Sequence, residues 1–325
     1  MTEQSKIDRG SAKRANQATS LFERADAAFR LDRMVPASAP KNLPKAKVRR
    51  QQAKPLAEPV ATPVQDAGMP LASTEPRLEP AVSLSGRPIA IERELLRDAG
   101  FIVPEEPVTG LLEEFRIVKR ELLADARAAG DDASRRILVC SPHQGEGKTY
   151  CASNLAIALA AERDIEVILI DADVINPSVS RRLGIEVGPG LMDAVADPAV
   201  RPETLVSPTD IDGLFVMQAG ASSANDAEYL TSARTGEVLS RLTRGAPNRF
   251  LIFDTPPALA ASPAAELAAH VGQALLVVRA DETSRAALGD ARQLLSACPD
   301  IKLLLNAAQF SPSGRRFGDY VEREE

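Results

Sequence analysis

Short apolar runs recur through the second half of the chain, each followed by a segment with helical spacing. The runs 136–139, 167–170, 214–217, 250–253, 274–278 and 301–305 are dominated by Val, Ile, Leu and Phe rather than alternating with polar residues. A strand with one wet face alternates; a run apolar on both sides predicts a parallel sheet covered on both faces. Helical spacing fills 150–161, 177–184, 190–196, 227–230, 234–243, 263–269 and 284–297. Strand and helix in alternation imply right-handed βαβ units, so the fold class is α/β, a doubly wound, mostly parallel sheet with helices on both faces. Upstream, structure begins over 89–100. A longer helix is predicted over 109–129, with Leu111, Leu112, Phe115, Val118 and Leu122 on one side and Glu113, Arg116 and Lys119 on the other.

The first part of the chain reads differently. Nine of its 24 prolines fall between positions 36 and 80, where no apolar period is visible. Such composition does not offset the entropy of ordering, so residues 1–86 are expected to be a disordered basic tail and linker, with one short amphipathic stretch at 18–34. Residues 87–310 then form the globular domain and 311–325 a flexible C-terminal tail. At 325 residues the chain holds one large α/β domain with its tails.

Charge sharpens this division. Residues 1–60 hold 13 Lys and Arg against 6 Asp and Glu, while the whole chain carries −6. The six basic residues between Lys41 and Lys54 suit an anionic membrane surface or a solvated tether. They have no interleaved aromatics and the rest of the chain is acidic, so nucleic acid is not an expected partner. No apolar run reaches the ~18 residues of a membrane span, and the N-terminus has no apolar signal core. The expectation is a cytoplasmic protein. Three cysteines without metal-ligand spacing fit a reducing compartment, and two histidines exclude a histidine-rich metal site.

The chemistry is concentrated in Cys140-Ser-Pro-His-Gln-Gly-Glu-Gly-Lys148-Thr149, between the first core strand and an Ala-rich helix. Gly145 and Gly147 allow a tight turn whose amides converge on a phosphate, with Glu146 between them. Lys148 supplies charge for the β and γ phosphates, Thr149 a hydroxyl for magnesium, and the following helix its positive end. Pro142 stands where the strict pattern has its first glycine, so the match is to the G-x-G-K-T core. Two further strands end in acid: 167–170 in Asp171-Ala-Asp173, and 250–253 in Asp254-Thr-Pro-Pro257. Ligands of open α/β sheets bind at the carboxyl ends of strands, so these acids should arrive beside the loop. There they can hold magnesium and activate a nucleophile.

Loop, Asp-x-Asp and Asp-Thr-Pro-Pro together resemble the Walker A, A′ and B motifs of the bacterial tyrosine kinases, P-loop proteins of polysaccharide export related to MinD/ParA-like ATPases. Phrases such as Glu114-Phe-Arg-Ile-Val-Lys-Arg120, Asn154-Leu-Ala, Gly190-Leu-Met-Asp193 and His270-Val-Gly-Gln273 are similar to those of the tyrosine autokinases found with exosortase-linked exopolysaccharide systems. The resemblance covers roughly 87–320. It implies ATP and Mg2+ as cofactors, held by Gly145 to Tyr150 and by Asn306, the counterpart of an adenine-contacting Asn. Thr149, Asp173 and Asp254 would be the metal ligands, and Lys148 with Asp171 or Asp173 the catalytic groups. Glu113, Arg116 and Lys119 match a subunit-contact motif, which implies a homo-oligomer. The implied partner is a membrane polysaccharide co-polymerase or chain-length determinant, recruiting the protein to the inner membrane face directly or with help from the basic tail.

Several residues depart from the family pattern. Ile175 and Asn176 stand in the usually Arg-rich stretch after Asp-x-Asp, and His143 takes the place of the signature lysine of MinD/ParA-like ATPases. The chain has three tyrosines where the kinases carry a tail cluster. Tyr150 and Tyr229 are expected to be fixed in helices, leaving Tyr320 as phosphoacceptor. Two functions follow: a tyrosine autokinase regulating exopolysaccharide polymerisation or export, or a nucleotide-binding regulatory module without significant kinase activity.

Overall fold

A computed structural model describes residues 80–308. The amphipathic stretch at 18–34, the basic run and the Tyr320 tail lie outside the described residues. Seven strands form one sheet: β1 (Arg136–Cys140), β2 (Glu166–Asp171), β3 (Val206–Pro208), β4 (Leu214–Met217), β5 (Arg249–Asp254), β6 (Gln273–Arg279) and β7 (Asp300–Asn306). Their order is β3-β4-β2-β5-β1-β6-β7, with every pairing parallel except β3 on β4. All six sequence-derived strands are present within two residues of their expected ends. The addition is β3, three residues ending in Pro208, too short and too polar for an apolar run to reveal it. At the sheet edge its proline need not donate to a neighbour.

The helices are α1 (Arg93–Asp98), α2 (Gly110–Ala129), α3 (Lys148–Ala160), α4 (Val179–Leu183), α5 (Leu191–Ala196), α6 (Asp226–Thr231), α7 (Ala233–Thr243), α8 (Pro263–Ala268) and α9 (Arg285–Leu294). Alternate strand residues feed two cores. Ile137, Val139, Val167, Leu169, Ile252 and Leu275 pack under α1 to α4, whereas Leu138, Ile168, Ile170, Phe253 and Leu276 pack under α5 to α9. Burial on both faces is why the strands read as continuous apolar runs. Helix α3 is buried almost all round, so its Ala-rich composition sets how closely it lies against the sheet.

Helix α2 begins at Thr109, whose hydroxyl accepts from the Leu112 amide, and stops at Gly130 with φ +69°. Its polar residues differ in their partners. Glu113 and Arg116 pair with each other at the surface. Lys119 instead turns inward with 9% of its side chain exposed, donating to the Ala158 carbonyl at 2.8 Å and pairing with Glu162 at 2.7 Å. Glu113, Arg116 and Lys119 nonetheless line one surface cleft together with Glu162. Ala158 lies in the last turn of α3, where carbonyls lack intrahelical donors and attract cations, so the ammonium ties α2 to α3.

Attachment to the domain starts earlier than residue 87. Ser85 N donates to Glu203 O at 3.0 Å, Gly86 N to Val206 O at 2.9 Å, and the buried Arg249 side chain to Val82 O at 3.2 Å. Each such bond contributes about 1 kcal/mol net. A chain starting at residue 80 keeps all three and should melt with the full chain. One starting at residue 87 should melt roughly 6–12 °C lower, at ~2–4 °C per kcal/mol for a domain of this size. Thermal melts of the two truncations check this, and equal melting temperatures would refute it.

Candidate nucleotide-binding site

Strand β1 delivers the chain into the loop 141–147, and α3 starts at Lys148 directly after it. Gly145 and Gly147 have φ of +86° and +99°, the left-handed region that favours glycine. At Gly147 space is decisive as well, because a Cβ there would lie 2.1 Å from Asn306 Nδ2. The Asn306 amide donates to the Glu146 carbonyl at 2.8 Å, which places the end of β7 against the loop. His143 is exposed; its amide donates to Glu146 Oε2 at 2.7 Å.

The acids arrive through sheet order. Strands β2 and β5 are neighbours in a register that sets Asp171 beside Asp254, and β1 follows with Val139 beside Asp254. Lys148 Nζ lies 2.9 Å from Asp173 Oδ2, with both side chains largely buried. The other oxygen of Asp173 accepts from the Asn176 amide at 3.1 Å. Thr149 Oγ1 is 2.9 Å from Ser178 Oγ.

Asp171 is occupied differently. Its Oδ1 accepts from Asp173 N at 3.1 Å, and its Oδ2 from Ser178 N and Val179 N at 2.9 and 3.0 Å. It fixes the turn leading into α4. Burial pushes its carboxyl up to about 6, against the amide donors that favour the charge. Both Asp171 oxygens are thus engaged by backbone amides, whereas Asp173 shares one of its oxygens with the Lys148 ammonium.

Asp254 is the unusual group. It is fully buried, and neither carboxylate oxygen has a partner of normal hydrogen-bond geometry, although the Thr149 hydroxyl is near enough to favour the charge. Burial pushes it up to about 7, opposed by the charge of Lys148. An orphaned acid beside a phosphate loop fits Mg2+. Among the described residues no group of three or more His, Cys, Asp or Glu is placed to hold a metal ion alone. Mg2+ is usually held by one or two carboxylates together with substrate phosphates, and Thr149 and Asp254 suit an ion that enters with nucleotide.

Two other expected residues are engaged elsewhere. The Tyr150 side chain leaves the loop, its hydroxyl donating to Gly100 O at 2.9 Å and its ring stacking on Phe101 at 5.6 Å. Tyr150 also lines a small pocket that reaches Asn306 at the end of β7. Tyr229 sits on α6, half-buried. The three cysteines are free and buried, and burial pushes the thiols of Cys140 and Cys151 up to about 11 and about 12, so they act as small hydrophobes. Arg279 and Thr283, which also touch the loop, carry no sequence signal that would have found them.

Residues 132–303 match the sequence profile of a family described as ParA: NUBPL iron-transfer P-loop NTPase. The chain is 29% identical over 259 residues to a putative tyrosine-protein kinase EpsB of Ralstonia solanacearum, across 78% of this chain and 32% of that protein. It is 28% identical over 197 residues to the tyrosine-protein kinase YwqD of Bacillus subtilis (strain 168), across 61% of this chain and 80% of that protein. The chain thus spans about a third of the length of the EpsB relatives. In fold it is similar to the kinase domain of the Escherichia coli tyrosine kinase ETK, with a TM-score of 0.55 at 21% identity over 73% of this chain and 94% of that domain.

The orphaned acid has a pH signature. An acid whose folded value exceeds its unfolded one holds its proton longer when folded, so its contribution to stability falls as pH rises from near 4 to about 7. Without nucleotide or metal, Asp254→Asn should therefore stabilise the protein at pH 8, by on the order of 4 kcal/mol, and much less at pH 5. Melts in EDTA at both pH values decide it; an equal gain at both would contradict the assignment.

Proposed function

Because the chain belongs to the ParA family of P-loop NTPases, we propose that it binds ATP with Mg2+ and transfers the γ-phosphoryl group to tyrosine, as an autokinase regulating exopolysaccharide polymerisation or export. The observation that carries this reading is the pairing of Lys148 with Asp173 beside a buried Asp254 whose oxygens lack a hydrogen bond of normal geometry. Mg2+, when bound with ATP, would supply charge neutralisation for the phosphates.

The protein's own groups do the rest by position and charge. Phosphate entering the loop takes Lys148 as its counter-ion, which frees Asp173 Oδ2. Phosphoryl transfer demands an aligned nucleophile and a base for its proton. The tyrosine oxygen forms a bond to the γ phosphorus while the bond from phosphorus to the β-bridging oxygen breaks. ADP departs, and the phenolic proton passes to Asp173. A phosphoacceptor must enter the site in line, which a tyrosine packed in the fold cannot do. Tyr150 is held by Gly100 and Phe101 and Tyr229 by α6, so Tyr320 is the acceptor among the three tyrosines.

Glu113 and Arg116 remain available for contact with a second copy, and a homo-oligomer would bring Tyr320 of one chain to the site of another. The polysaccharide co-polymerase of the membrane is the proposed partner, consistent with the tyrosine-protein kinases among the relatives. No helix among the described residues is long and apolar enough to cross a membrane.

Mixing a Lys148→Met chain with a Tyr320→Phe chain tests the reading. With ATP and Mg2+, phosphate should appear on Tyr320 of the Lys148→Met chain and rise with protein concentration. Absence of phosphotyrosine under every condition, with ATP still hydrolysed, would replace the autokinase by a regulatory ATPase module.

A further inference from the structure

One chain of hydrogen bonds beside the loop has no part in the chemistry above. Glu146 is 5% exposed although it sits in a surface turn. One oxygen accepts from the His143 amide and the other from the Thr283 hydroxyl. Thr283 Oγ1 in turn accepts from the Arg279 amide at 2.8 Å. From the same side Arg279 Nη1 donates to the Gly145 carbonyl at 3.2 Å, and Asn306 Nδ2 to the Glu146 carbonyl at 2.8 Å. The loop is thus gripped by the ends of β6 and β7, through residues more than 130 positions away in the chain.

The direction of that grip matters. In a trans peptide the carbonyl and the amide point to opposite sides of the chain, and the protein has no cis peptide among its described residues. Carbonyls of Gly145 and Glu146 drawn toward β6 and β7 turn the amides of Glu146 and Gly147 the other way, into the concavity that receives phosphate. Each oxygen of Glu146 already has a protein donor.

We propose that Thr283, acting with Arg279 through Glu146, is a positioning residue that sets the phosphate-binding amides before nucleotide arrives. Preorganised donors bind without the cost of being ordered at that moment, so loss of the grip should appear in affinity. The inference rests on the ATP-binding reading above.

The test uses the full chain with Mg2+ and the fluorescent analogue N-methylanthraniloyl-ATP. Thr283→Val keeps the shape but removes the hydroxyl, and should raise the Kd about tenfold, equivalent to ~1.4 kcal/mol. The apparent KM for ATP should rise in step while kcat at saturating ATP changes less than about threefold, since bound phosphate restores the loop. Thr283→Ser, which retains the hydroxyl, should bind within about twofold of the parent. Glu146→Ala removes the same staple from the other side and should weaken binding at least as much, which serves if the valine variant fails to fold. A Thr283→Val or Glu146→Ala protein that binds like the parent would overturn the inference, as would a serine variant as weak as the valine one. Lys148→Met separates the two readings: if it weakens binding and Thr283→Val does not, only this inference fails, whereas unchanged binding in both removes the nucleotide site itself.

Discussion

The site depends on a carboxylate kept where carboxylates are costly. Asp254 is buried at the end of a central strand with neither oxygen in a hydrogen bond of normal geometry, and its main compensation is the charge of Lys148, helped by the Thr149 hydroxyl. Lys148, however, is already paired with Asp173. One ammonium therefore serves two acids, and the pocket is short of positive charge until something brings more. Uncompensated buried charge is expensive, so burial pushes the Asp254 carboxyl up to about 7, and a cation arriving beside it would favour the charged form. Phosphate alone would worsen the deficit. Phosphate accompanied by a divalent cation would correct it, which is the ground for proposing that Mg2+ enters with nucleotide.

The architecture exists to hold that arrangement. Neighbouring β2 and β5 end in register, so Asp171 and Asp254 come side by side without a loop having to position either. Asp171 then spends its oxygens on the amides of Asp173, Ser178 and Val179, and so fixes the segment that carries Asp173. Each acid has a distinct task set by its donors: Asp171 shapes the turn, Asp173 shares Lys148, and Asp254 waits. On the opposite side of the loop, Arg279 at the end of β6 and Asn306 at the end of β7 donate to the Gly145 and Glu146 carbonyls, while Thr283, four residues beyond β6, donates to the Glu146 carboxylate.

Much of this was legible in the sequence, for physical reasons that also explain the misses. The strands of a doubly covered sheet are apolar at every position, so their runs stood out, and the acids that end them marked the site. Strand β3 did not, because three residues at an edge need no apolar pattern. The spacing of Glu113, Arg116 and Lys119 identified a polar side of α2 but not what lies next to it. The carbonyl end of α3 captures Lys119, and only the packing of two helices reveals that. Tyr150 directly follows the loop in sequence, yet a helix turns 100° per residue, and its side chain ends on Phe101 and Gly100. The Thr283–Glu146 bond joins residues 137 apart, beyond any local pattern.

The central claim is that Asp254 completes a divalent-cation site only when nucleotide is present. Electron paramagnetic resonance of Mn2+, used in place of Mg2+, measures this directly as loss of the free-ion signal. With a non-hydrolysable ATP analogue, the full chain should take up about one Mn2+ per molecule at concentrations where the nucleotide-free protein takes up little, since protein carboxylates and phosphates hold the ion jointly. Asp254→Ala should lose most of that nucleotide-dependent uptake while remaining folded. Uptake by the Asp254→Ala chain equal to that of the parent, or uptake that does not depend on nucleotide, would contradict the account.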